Sequence, residues 1–299
     1  MSGMTTTAAT RTTIAELRAG GEVEGVFACA RKDRLIAKNG APYLAIELRD
    51  RSGVIAARAF RDVDFLAGQF ERGDLVWVAG RVERFRDELQ VELRAIRRAG
   101  EDVDPSGFLP VAYRDLDELD GFLEHLAREV YDRDYRRLLD SFLQDKRFRA
   151  ELRRTPCTRN RHHAYLGRLL EHTVAVGTLA QEACTLHPRL NSDLLVTAAI
   201  LHDLGKTREF ELGAEIALSE EGALVGHLAL GQQLLAERAA SLGGFPHEKL
   251  LALFHCVLGH HGVESLPGRR FRSAEAVALY RLNGLDASVK GVIEHGLAA

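Results

Sequence analysis

Long apolar runs are missing from this chain: no stretch approaches the ~20 consecutive apolar residues that a membrane-spanning helix needs. Cysteine is scarce too. Cys29, Cys157, Cys184 and Cys256 never form a CxxC pair, which argues against a thiolate zinc site and a disulfide framework and fits a reducing cytoplasm. No glycine-rich phosphate loop and no Ser-His-Asp ordering occurs, so neither nucleotide cradling by a P-loop nor a serine nucleophile is indicated. Strong charge of one sign is also lacking, since the net charge is −3. The split is mild: residues 22–98 carry 15 Lys/Arg against 13 Asp/Glu, and residues 99–299 carry 23 against 29. It favours a polyanionic partner only weakly.

What is present is ordinary for a globular protein, 46% hydrophobic and 28% charged, and 299 residues suffice for two domains with separate cores. Met1 to Thr13 is rich in Thr and Ala without an apolar h-region, so a disordered leader rather than a signal peptide is expected over residues 1–21. Residues 22–98 read as strands over Glu22 to Arg31, Pro42 to Arg49, Val54 to Phe60, Asp74 to Arg84 and Glu88 to Arg97. A short helical piece, Asp62 to Phe70, precedes Gly73. Five strands with a helix between the third and fourth is the order of an all-β OB-fold barrel. A polar linker follows over 99–112, and residues 113–299 are helical by periodicity: 113–131, 133–150, 163–186, 191–204, 222–241, 246–260 and 273–292.

The most informative local string is Ala199-Ile200-Leu201-His202-Asp203-Leu204-Gly205-Lys206. A charged Asp in apolar helical surroundings is costly unless compensated, and a bound cation is the usual compensation. Further ligand-type residues lie at His172, His227, His260-His261 and Asp286, enough for two metal ions. Two metals held by His and Asp point to phosphate-ester hydrolysis. His260-His261 closes a helix between Gly259 and Gly262, where a left-handed turn can aim both imidazoles inward. His255, five residues earlier and about 140° around the helix, reads as a neighbour or core residue rather than a ligand.

The succession His172, His202-Asp203, His227, His260-His261, Asp286 resembles the HD-domain metal-dependent phosphohydrolases with a binuclear site. The strings His163-Ala164-Tyr165-Leu166-Gly167, Leu169-Leu170-Glu171-His172, Gly226-His227, Gly259-His260-His261-Gly262 and Leu285-Asp286-Ala287 are similar to the YhaM-type 3′-to-5′ exoribonucleases, a branch that also carries an N-terminal OB-fold. The resemblance covers roughly residues 22–295. It implies one metal on His172, His202, Asp203 and Asp286, and a second on a bridging Asp203 with His227, His260 and His261. The ions implied are divalent, manganese first, with iron, zinc or magnesium as alternatives. Asp203 and Lys206 would carry the chemistry, Lys206 by touching a phosphate oxygen. His163 and Arg168 would contact the substrate backbone.

A barrel of this kind binds single strands through aromatic stacking and basic side chains. The candidates are Tyr43, Phe85 and Arg84, with Phe60 and Phe27 behind them and Arg31, Lys32, Arg34, Lys38, Arg58 and Arg86 along the strands. Phe60 and Trp77 read more readily as core. The function expected is a cytoplasmic, metal-dependent 3′-to-5′ exonuclease acting on single-stranded RNA or DNA, without a membrane, and with self-association left open. Two alternatives stay open beside it: a phosphohydrolase of a small or cyclic nucleotide, and a nucleic-acid adaptor without turnover. Loss of the barrel would cripple turnover of long strands under the first reading and spare a mononucleotide under the second.

Overall fold

The computed structural model describes residues 13–37, 40–100, 103–109, 114–158, 165–213 and 215–295. The chain divides into two compact units with the boundary between Pro110 and Val111, and the short stretch Leu212–Ile216 counts with the first. No helix among the described residues is long and apolar enough to cross a membrane.

The first unit is built from Glu22–Ile36 (β1), Pro42–Asp50 (β2), Gly53–Ala59 (β3), the short helix Val63–Ala67 (α1), Leu75–Phe85 (β4) and Glu88–Arg98 (β5). The strands close into a barrel in the order β1-β2-β3-β5-β4, the OB-fold that the strand pattern predicts. Closure depends on β1, which is longer than expected. Its first half pairs with β4 and its second with β2, with a register shift between Cys29 and Arg31 where it bends. A short parallel pairing of Ala56–Arg58 with Gln90–Glu92 seals the other side. Leu44, Ile46 and Leu48 point inward from β2 to meet Phe27, Val76, Val78 and Val91, while Tyr43 and Glu47 face outward. Arg86 and Asp87 both adopt positive φ in the β4–β5 hairpin, as a two-residue turn of that twist requires.

Two expectations for the flanks are corrected. Residues 13–21 of the expected leader are ordered against the barrel: Ile14 and Leu17 are buried in its core, and Asp50 accepts the Ile14 amide at 2.7 Å. Residues 1–12 lie outside the described residues. The expected linker is not wholly polar in behaviour either, because Phe108 and Leu109 are buried and Phe108 sits against Ala28 of the barrel.

The second unit comprises Leu116–Arg128 (α2), Arg133–Leu143 (α3), Lys146–Arg154 (α4), Arg168–Leu186 (α5), Ser192–Leu201 (α6), Lys206–Glu209 (α7), the outer residues of a two-stranded ribbon of Phe210–Leu212 (β6) and Ile216–Leu218 (β7), then Glu220–Leu224 (α8), Gly226–Ser241 (α9), His247–Gly259 (α10) and Ala274–His295 (α11). The predicted helix 133–150 is two helices, because the Asp145 side chain accepts the amides of Arg147 and Phe148 and starts a new one. The predicted helix 222–241 is likewise split near Val225, and 191–204 stops at Leu201. The ribbon was not foreseen, since three-residue strands are too short to show a period. At the centre lies α6, apolar on all sides and buried from Leu194 to Leu201. A helix of that composition has no solvent face, and each fully buried Leu or Ile gains about 1.5–3 kcal/mol over exposure. It packs against α5, and α10 and α11 also border it. That arrangement places the end of α6, with its His-Asp pair, deep in the bundle.

Candidate metal centre

His202 and Asp203 follow α6 directly, in a turn that runs into α7. Gly205 makes this turn fit. A Cβ there would run into the carbonyl oxygen of His227 and lie 2.5 Å from the Gly231 amide nitrogen, so only glycine lets α9 approach closely enough to bring His227 beside Asp203. His260 and His261 come from the end of α10, where Gly262 takes φ +128°. His172 comes from the first turns of α5 and Asp286 from α11.

Asp203 is the hub. Its Oδ2 lies 3.7 Å from Nε2 of His172 and 3.4 Å from Nε2 of His202. Its Oδ1 lies 3.6 Å from Nε2 of His227 and 3.3 Å from Nε2 of His260. The ligand atoms fall into two groups that share this carboxylate: His172, His202 and Asp203, and Asp203, His227, His260 and His261. His227 Nε2 is 3.0 Å from His261 Nε2, and His172 Nε2 is 3.2 Å from His202 Nε2.

The far nitrogens explain why the near ones present lone pairs. Nδ1 of His202 donates to the Ala199 carbonyl at 2.8 Å, and Nδ1 of His260 to that of Val257 at 2.6 Å. Nδ1 of His227 faces Glu209 Oε1 at 3.0 Å, and the same oxygen accepts the His227 amide at 3.1 Å. Such bonds fix ring tilt and tautomer, leaving Nε2 free for a cation. Burial lowers the pKa of His202 and His260, and burial followed by the nearby His260 lowers that of His261; neutral imidazole is the ligating form. Burial opposes ionisation of Asp203, but the Lys206 ammonium and the His202 ring outweigh it and hold the carboxyl well below the usual range. Lys206 donates to Asp203 Oδ2 at 2.7 Å; burial opposes its charge, and Asp203 more than restores it.

A divalent cation fits these residues. Asp203 Oδ1 and His260 Nε2 are buried atoms with no hydrogen-bond partner. Orphaned buried polar atoms are rare and costly, and a metal would satisfy both.

The geometry brings together His172, His202, Asp203, His227, His260 and His261, six of the ligand candidates named from the sequence. Asp286 is placed differently. Its Oδ2 sits 2.6 Å from Nδ1 of His172, the far side of that ring, and it is outside both groups of ligand atoms. A cavity of about 420 Å³ opens beside the centre, lined among others by Arg168, His172, Lys206, His261 and Tyr280. Arg168 is buried and donates to the Tyr165 hydroxyl at 2.9 Å, which in turn donates to Glu171 at 2.8 Å. His163 lies outside the described residues. His255 accepts the Arg272 amide at 2.9 Å and stays out of the centre. Glu209 was missed by sequence reading, although Asp203, Lys206 and Glu209 recur at three-residue intervals, the signature of one helical face.

On the barrel, Tyr43 and Phe60 stack with ring centroids 5.7 Å apart. Phe60 is exposed, not core as expected, and Phe85 is exposed too, whereas Phe27 is buried. Phe60 escapes burial because it lies one residue beyond β3, past the last inward position at Ala59. Arg84 is exposed on β4, and Arg86 stands over the Phe85 ring, 5.3 Å from its centroid. Lys38 lies outside the described residues.

A closed five-stranded barrel followed by helices carrying a divided His/Asp cluster defines a two-domain, metal-dependent phosphohydrolase. Residues 20–98 match the OB-fold nucleic acid binding domain and residues 169–288 match the HD domain. Among similar proteins is the 3'-5' exoribonuclease YhaM of Bacillus velezensis, 30% identical over 90% of this chain and 86% of that protein. The Bacillus subtilis protein of the same name is 29% identical over the same shares, and that of Listeria innocua 27% over 85% and 81%. The chain belongs to the YhaM 3′-5′ exoribonuclease family.

Proposed function

We propose that the chain is a metal-dependent exonuclease that shortens single-stranded RNA from its 3′ end, with DNA as a second substrate, and releases nucleoside monophosphates. The observation that carries this reading is the divided carboxylate of Asp203, with imidazole groups facing each of its two oxygens, in a chain of this family. One ion would lie with His172 and His202, the other with His227, His260 and His261, and Asp203 would bridge them. Five imidazoles and one carboxylate suit a first-row transition ion, Mn²⁺, Fe²⁺ or Zn²⁺, better than oxygen-seeking Mg²⁺. Such ions supply Lewis acidity to a phosphodiester and to the attacking water.

The protein's own groups do the rest. Lys206, pinned on Asp203 and lining the cavity, offers its ammonium to a phosphate oxygen and balances charge as it builds. Arg168, held by Tyr165, presents a fixed guanidinium to the backbone of the terminal nucleotides. On the barrel, Tyr43 with Phe60, and separately Phe85 with Arg86 over its ring, offer stacking faces to a strand, and Arg84 offers a further cation. The same protein in solution is expected in the cytoplasm, where its unpaired cysteines stay reduced.

The test is a time course on 5′-labelled single-stranded RNA with Mn²⁺. A ladder descending one nucleotide at a time, abolished by chelation and by a blocked 3′ end, is expected. Internal cleavage, or shortening that survives chelation, would overturn the reading.

A further inference from the structure

The nitrogen of His172 that faces the centre has a neighbour outside the ligand candidates that the sequence singles out. Asn283 on α11 is buried, and its Oδ1 lies 2.9 Å from His172 Nε2. Its Nδ2 donates to the His260 carbonyl at 3.1 Å, which fixes the amide with nitrogen toward the backbone and oxygen toward the rings. Asp286, one helical turn further on, takes the other nitrogen of His172 at 2.6 Å. With the His172 proton on that side, Nε2 of His172 turns its lone pair toward three others: Oδ1 of Asn283 at 2.9 Å, Nε2 of His202 at 3.2 Å and Oδ2 of Asp203 at 3.7 Å. His202 has no proton to spare, because its own lies on the bond to Ala199. Lys206 donates to the Asp203 oxygen. Lone pairs so close repel one another unless a cation lies among them.

We propose that Asn283 gives its amide oxygen as a neutral ligand to the ion beside His172 and His202, and that Asp286 acts as a positioning residue that orients His172. This rests on the two-ion reading above and sharpens it. With Asp286 on the far side of the ring, Asp203 is the one carboxylate that two divalent ions would share among the described ligand residues. The centre is therefore short of anionic ligands, which weakens its hold on the ion at Asn283 and strengthens its pull on a phosphate. Ligand charge count tunes the affinity of an oxygen site in just this way.

The experiment is Mn²⁺ titration of the full chain, followed by calorimetry and by the electron paramagnetic resonance signal of a coupled Mn²⁺ pair. In the variant Asn283→Asp the weaker of two sites should tighten by about tenfold or more, and in Asn283→Ala it should loosen by a similar factor, the range seen when groups around a metal are altered. The stronger site should hold its affinity in both. Asn283→Asp is nearly isosteric, so it keeps the test open if Asn283→Ala fails to fold. Two sites of unchanged affinity in both variants, beside a wild-type protein that binds two ions, would overturn the Asn283 assignment alone. A wild-type protein that takes up no divalent ion would overturn the two-ion reading itself, and this inference with it.

Discussion

Replacing Asp203 with Asn separates the two duties of that carboxylate. The residue is 2% exposed, divides its oxygens between two sets of imidazoles, and receives Lys206 at 2.7 Å. The amide keeps the shape but loses the charge, and one oxygen becomes an NH₂ that pushes protons into converging lone pairs. In the metal-free protein Lys206 is left as a buried ammonium without its carboxylate. Orphaning one member of a buried ion pair costs about 3–5 kcal/mol, so the melting temperature should fall steeply. In the loaded protein both sites lose their shared anion, and exonuclease turnover should drop on the order of 1000-fold, equivalent to roughly 4 kcal/mol in the barrier. The control is Asp203→Asn combined with Lys206→Met, which removes the stranded cation. The pair are in contact, so their effects should not add: the double variant should recover most of the lost stability and none of the activity. Melting is followed by calorimetry and turnover by the labelled-RNA ladder in Mn²⁺. Activity within tenfold of wild type in the single variant would refute the bridging role. A double variant as unstable as the single one would refute the account of Lys206.

Gly205→Ala should destabilise the protein by about 1–3 kcal/mol or more, because the new methyl meets backbone that cannot turn aside; it should also loosen the His227 side of the centre, and a melting curve and Mn²⁺ stoichiometry like wild type's would contradict this. The metal-free protein should lose stability as pH falls below about 6.5. Burial keeps His202, His260 and His261 neutral in the native state, whereas the unfolded chain protonates them, so the unfolded state binds the extra protons and gains with acid; a flat profile of urea midpoint from neutral to mildly acid pH would count against it. Tyr43→Ala with Phe60→Ala should raise KM for long RNA by about fivefold to 150-fold, as loss of about 1–3 kcal/mol from one unstacked base implies, yet spare hydrolysis of a small phosphodiester; an equal loss on both substrates would deny the barrel a role in strand binding. Arg168→Met should raise KM for RNA more than it lowers kcat, and an unchanged KM would remove Arg168 from substrate contact.

Much of the molecule follows from local rules that a sequence displays. The strands of the barrel alternate, and their ends fall within a few residues of expectation except in β1, whose second half continues to Ile36 because β2 pairs with it there. The His-Asp pair at the end of an all-apolar helix, and the His260-His261 pair before Gly262, betray themselves by type and spacing. Asp145 could have been recognised as a helix start, since its acid precedes a fresh amphipathic turn; periodicity that happened to run on across it hid the break. Asp286 is a different matter. Type and spacing make it a ligand candidate, but on α11 the side chain that faces the lone pairs is set by rotation of the whole helix against α5 and α6. That rotation presents Asn283, a residue with no ionisable group to mark it.

What the sequence by itself determined, then, is which residue types can bind a cation and which stretches curl or extend around them, because caps, turns and hydrophobic periods act over a few residues. Only the tertiary structure decided which atom of each side chain faces the centre: that Asp203 splits its oxygens between two sets of rings, that Glu209 and Asp286 stand behind His227 and His172, and that Phe60 is exposed beside Tyr43. Those outcomes depend on helices and strands distant in sequence packing at fixed angles, which no short window of residues encodes.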